Sequence, residues 1–129
     1  MLDAGFVITT HDRIIQEVGG LSGLAGGGRG AVEAALMRIE NHAHYAELDD
    51  AFDIAGMYAE AIARGHVFND GNKRTALACA LAYLKEQGIA CRASPELEEL
   101  TVLLAEGVIS GRLFGQSLWF FSSGNINLR

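Results

Sequence analysis

A chain of 129 residues and 13.8 kDa has room for one domain, spanning 1–129, large enough to bury a hydrophobic core without staples. Hydrophobic residues make up 50% and charged residues 20%, the composition of a folded globular protein and not of a disordered one. The formal net charge of -6 offers no overall positive field to displace counterions from a nucleic acid, so no direct nucleic-acid partner is expected. No apolar run approaches the roughly 20 residues that a membrane-spanning helix needs. Cys79 and Cys91 form no CxxC pair, and no charged, apolar, cleavable leader opens the sequence. Both are therefore expected as reduced thiols in a cytoplasmic protein.

The first predicted element is a short helix over 9–18, with Thr9 or Thr10 as its cap and Ile14, Ile15 and Val18 as its apolar side. It stops at Gly19-Gly20. The stretch 19–30, GGLSGLAGGGRG, holds seven glycines, too costly in backbone entropy for regular structure, and reads as a loop. Val32, Ala35, Leu36 and Ile39 share one stripe and predict a helix over 30–42, followed by a connection over 42–49.

Asp49 or Asp50 caps the next predicted helix, which runs to Arg64 and is rich in small residues that suit a central position with close neighbours. After the turn chemistry of 66–72, the spacing of Leu77, Ala80, Leu81 and Leu84 predicts a helix over 72–87, ended by Gly88. Ile89 to Arg92 is the only stretch that reads as extended. Ser94-Pro95-Glu96 starts a helix over 95–106, and a last one covers 110–121. The expected fold class is all-α, a compact arrangement of about six helices.

The chemistry concentrates in His66-Val67-Phe68-Asn69-Asp70-Gly71-Asn72-Lys73-Arg74, at a loop-to-helix junction. The first N–H groups of a helix lack internal partners and its dipole is positive there, so a glycine turn followed by Asn72, Lys73 and Arg74 is suited to phosphate. Asp70 is a candidate ligand for Mg²⁺, which takes one or two carboxylates together with a substrate's own phosphates. His66 is the candidate general base. Phe68, Gly71, Asn72, Lys73 and Arg74 form the expected phosphate-binding group. Phe68 serves it better as an anchor of the loop than as a stacking platform, because the segment contains one aromatic. Lys73 continues the stripe of Leu77, Leu81 and Leu84 and is expected to face a pocket. A P-loop is excluded, since GxxxxGK[ST] occurs nowhere.

HVFNDGNKRTAL, residues 66–77, resembles the Doc variant of the Fic motif, HxFx[DE]GN followed by Lys-Arg instead of Gly-Arg. The likeness extends loosely to GGL at 19–21, ARGH at 63–66 and SPELEELTV at 94–102. The resemblance, to Doc-type toxins of the Fic/DOC family, implies an α-helical Fic fold in which His66 is the general base, Asp70 binds Mg²⁺, and Asn72, Lys73 and Arg74 hold the phosphates of ATP. Members with the usual motif transfer AMP. Here Lys73 stands where they have a glycine and Leu77 where they have a second arginine, which implies a reversed nucleotide and transfer of the γ-phosphoryl group. The same kinship implies a threonine of elongation factor Tu as acceptor, a halt to translation, and an antitoxin partner whose disordered segment folds onto the toxin. It also places a flap that aligns the target peptide near 42–49.

Three other functions compete with this reading, the first being AMP transfer by the same residues with the nucleotide in the usual Fic orientation. Arg38 and His44 fit an R-x5-H spacing of helical ribonuclease toxins, but that leaves 66–74 unexplained. A binding module without catalysis would not need His66, Asp70 and Arg74 intact. Cys79 is expected as a small core residue. Trp119 and Phe120 are by default core as well, and His11, His42 and His44 are not expected to hold structural zinc.

Overall fold

The computed structural model describes residues 1–122, so the tail 123–129 lies outside the described residues. These residues form six helices: α1 (Ala4–Val18), α2 (Gly28–Tyr45), α3 (Ala51–Gly65), α4 (Asn72–Glu86), α5 (Pro95–Ala105) and α6 (Gly111–Phe121). The fold class is all-α, as the periodicity predicts. Among the described residues no strand forms, and Ile89–Arg92 does not pair. The one extended pairing is an isolated bridge between Leu24 and Phe68.

Helix α3 is the centre, packed most extensively on α4 and α6 and also touching α2 and α5. Its small residues make this possible. Ala55, Gly56, Ala59 and Ala63 are buried, and a Cβ on Gly56 would run into the backbone carbonyl of Gly111 on α6. Val32, Ala35, Leu36 and Ile39 of α2 and Leu77, Ala80 and Leu84 of α4 are buried, each on its predicted stripe. The core they build is continuous, with Val7, Leu97, Leu104, Phe114 and Leu118 among its members.

The caps agree with local chemistry. Asp50, Ser94 and Ser110 each accept a hydrogen bond from an amide in the first turn of the helix that follows, as short polar side chains do at helix starts. Gly88, at φ +80, ends α4, with its N–H bonded to Lys85 and that of Ile89 to Leu84. Arg64 reaches from α3 to the carbonyls of Leu104 (2.8 Å) and Ile109 (2.5 Å). Glu60 pairs with Arg64 at 3.3 Å and accepts from the Gly111 amide at 2.6 Å. This network ties the α5–α6 turn to α3.

Three expectations need correction. Helix α1 begins at Ala4, capped by Asp3, five residues before Thr9. Its buried face is Ala4, Val7, Thr10 and His11, whereas Val18 is exposed and Ile14 and Ile15 are half-buried. Asp3 is a better cap than Thr9, and a polar Thr10 and His11 mask the true inward face. Helix α2 extends to Tyr45, so the connection shortens to 46–50. Trp119 and Phe120 are each 56% exposed, while Leu118 is fully buried. Three neighbouring positions cannot share one helical face, and Leu118 is the one turned to the core, in line with Phe114 four residues earlier.

Burial holds two acidic groups in the proton-bound state. The Cys79 thiol is pushed up to about 12 by desolvation. The Tyr58 phenol is also pushed up to about 12, mainly by burial, although the Leu2 amide that it accepts from at 2.9 Å pulls the other way. Native protein thus retains protons that unfolded protein releases from about pH 9 to 10 upward, and stability falls as pH rises from there to about 12. Urea midpoints measured across this range should decline, and Cys79→Ala should flatten the decline.

Candidate active site

The site is assembled where three segments meet. Helix α3 is closed by His66, whose backbone is left-handed at φ 49, ψ 41, a conformation uncommon outside glycine and taken more readily by Asn, Asp and His than by other residues. Gly71 (φ 76) turns the chain into α4. A Cβ at Gly71 would lie 3.1 Å from Ile15 and 3.5 Å from the His11 ring, so space as well as dihedral favours glycine.

The glycine loop closes the third side by backbone bonding. Ala25 N–H donates to Val67 C=O at 2.9 Å and Asn69 N–H to Gly23 C=O at 3.1 Å. The Asn69 side chain donates to Ser22 C=O at 3.0 Å. Seven glycines let this loop approach the motif closely: a Cβ on Gly20 would be 2.8 Å from the Asp70 carboxylate.

The end of α3, the turn into α4 and the end of α5 line an open cleft of about 480 Å³, formed by His66, Asn69, Asp70, Gly71, Asn72, Lys73 and Arg74 with Ala63, Ala105 and Glu106, while the glycine loop braces the motif without lining it. His66, Asp70, Lys73 and Arg74 are exposed in it. Among the described residues, the side chains of His66, Lys73 and Arg74 make no hydrogen bond or ion pair. An imidazole and two cations therefore face one cleft uncommitted.

Asp70 does not cap α4. Its Oδ1 accepts from its neighbour's amide, Gly71 N–H, at 2.9 Å, and its Oδ2 from Leu21 N–H at 3.2 Å. No side chain caps α4, and its first backbone bond is Thr75 N–H to Gly71 C=O at 3.0 Å. The amides of Asn72, Lys73 and Arg74 come before that bond, at the positive end of the helix dipole.

Other expected site residues sit differently. The Asn72 amide brackets Phe68, accepting from its N–H at 3.2 Å and donating to its C=O at 3.0 Å. Its side chain thus braces the loop before it can serve a phosphate. Phe68 is 2% exposed, does not line the cleft, and stacks on His11 with centroids 3.8 Å apart and planes 4° apart. It is an anchor, and contact with a nucleotide is blocked by burial. Lys73 faces a cleft as its position on the stripe predicts, although its side chain is exposed there and not buried.

Lys73 and Arg74 also border a second, apolar cleft of about 610 Å³, lined by Ile14, Val18, Leu77, Leu81 and Val102 with Glu17 and Glu98 at its edges. No residue of 42–49 lines either cleft. Arg38 and His44 both lie on α2. Six residues along a helix turn them about 120° apart, so they do not converge as a ribonuclease pair.

Two contributors were not legible beforehand. Glu106 enters from the α5–α6 turn, and His11 reaches the motif from α1; their only signal is tertiary.

A sequence model of the Fic/DOC family matches residues 1–84. The protein kinase doc of Escherichia phage P1 is 45% identical over 104 residues, covering 81% of this chain and 81% of that protein. The chain belongs to the Fic/DOC family, in its Doc-type branch.

Proposed function

We propose that this protein is a Doc-type toxin kinase that moves the γ-phosphoryl group of ATP to a serine or threonine hydroxyl of a protein. The observation that carries this reading is one cleft that unites an unpaired, exposed His66 with the uncapped start of α4, Lys73 and Arg74. The activity named for the phage P1 relative supports it.

His66 takes the proton of the acceptor hydroxyl. The oxygen attacks the γ-phosphorus, the bond from that phosphorus to the β–γ bridging oxygen breaks, and ADP leaves. Lys73, Arg74 and the free amides of α4 hold the charge that the phosphoryl oxygens carry, and phosphoryl transfer needs little beyond positioning and charge stabilisation.

A magnesium ion fits Asp70 in a limited sense. Among the described residues no cluster of three or more metal-binding side chains exists, so the protein could supply one carboxylate, with each oxygen holding a lone pair beyond its single backbone bond. Bound there with ATP, the ion would neutralise phosphate charge.

The acceptor in this reading is a threonine of elongation factor Tu, whose modification would halt translation, and a cognate antitoxin restrains the toxin. The apolar cleft beside the site gives an amphipathic segment a seat in contact with Lys73 and Arg74. A single domain over 1–129 and a cytoplasmic setting complete the proposal. Among the described residues no helix is long and apolar enough to cross a membrane.

Labelled ATP, Mg²⁺ and a bacterial lysate test the reading. Label on a lysate protein is expected from γ-labelled and not α-labelled ATP. Lys73→Gly should lower that transfer about tenfold, the loss of one charged contact to a phosphate. Label from α-labelled ATP instead would establish AMP transfer by the same residues.

A further inference from the structure

His11 is a fully buried polar side chain that the transfer chemistry above leaves without a part. Its Nε2 lies 2.7 Å from the Asp70 carbonyl oxygen. A carbonyl only accepts, so Nε2 carries the proton and donates. Nδ1 lies 3.2 Å from the exposed Asp12 carboxylate, and the ring face covers Phe68.

The Asp70–Gly71 peptide is consequently held at both ends. Its C=O receives the His11 N–H, and its N–H donates to the Asp70 carboxylate. A trans peptide is a rigid plane whose C=O and N–H point in opposite directions. Rotating it would break both bonds, release the carboxylate from Gly71, and disturb the left-handed turn that begins α4. Leu21 N–H holds the other carboxylate oxygen, but only from an exposed loop.

We propose that His11 is a positioning residue for the transfer reaction, clamping the Asp70–Gly71 peptide and the Phe68 anchor so that the Asp70 carboxylate and the start of α4 keep one orientation toward the nucleotide. The functional part of this inference rests on the phosphoryl-transfer reading; the clamp itself does not.

Two polar, ring-free variants separate the clamp from packing. A glutamine amide reaches where Nε2 stands, whereas asparagine is too short to reach the Asp70 carbonyl. Each is compared with wild type by circular dichroism, by hydrogen exchange of the Gly71 and Leu21 amides without nucleotide, and by γ-phosphoryl transfer from Mg-ATP to lysate protein. His11→Asn should keep its helix content and raise Gly71 exchange about tenfold. It should also lower kcat about tenfold or more, with KM for ATP within about twofold. His11→Gln should recover most of both losses.

Equal exchange and equal kcat in the two variants would overturn the proposal, since that outcome assigns His11 to packing alone. A wild-type protein that transfers no γ-label would sink the kinase reading instead, and the exchange of Gly71 would still decide the clamp.

Discussion

His66→Asn should lower γ-phosphoryl transfer by about 10²–10⁴-fold, the usual contribution of a positioned general base, while leaving Mg-ATP affinity within about twofold because charge and amides on α4 are untouched. Asparagine is the informative replacement. His66 sits at φ 49, and alanine there would add backbone strain of about 1 kcal/mol to the loss of the base. Asparagine tolerates the left-handed region. Single-turnover transfer with matched calorimetric binding measures both quantities. An unchanged rate would remove His66 from the chemistry, and a lost rate with lost binding would recast it as a nucleotide contact.

The second large effect concerns the frame. In Gly56→Ala the added methyl would occupy the position of the Gly111 carbonyl, and on the opposite helix Gly115 has the same relation to the Phe52 carbonyl. Helices α3 and α6 meet backbone to backbone, so the clash cannot be relieved by a rotamer change. Overpacking of this kind costs about 3 kcal/mol, which for a domain of this size lowers Tm by roughly 10 °C. Because Arg64 and Glu60 fasten the α5–α6 turn to the same helix, Glu106 should shift from the cleft in any protein that survives. Calorimetric melting checks the first effect; a Tm within about 2 °C of wild type would contradict the packing described.

The contrast between these two glycine and histidine positions shows what was legible in the sequence. The small residues of α3 announced a central helix with close neighbours, but not that Gly56 meets Gly111, because nothing in a run of alanines and glycines specifies its partner. The motif announced a base, a carboxylate and two cations at a helix start. It did not show that Asn72 spends its side chain on Phe68, and the stripes did not show that Val18 and Trp119 are exposed. Stripe analysis weights apolar residues, and at α1 the inward face carries Thr10 and His11 instead.

The sequence by itself determined that six helices form, the Asp50 and Ser94 caps, and the contiguous run from Gly71 to Arg74 at the start of α4. These depend on interactions within a few residues, such as hydrogen-bond caps, dihedral limits and the 3.6-residue period. Tertiary structure alone decided which distant groups complete the site. His11 lies 59 positions from Asp70, and Leu21 lies 49; contacts of such separation arise only when the packing of α1 and the glycine loop against α4 brings them within hydrogen-bond range.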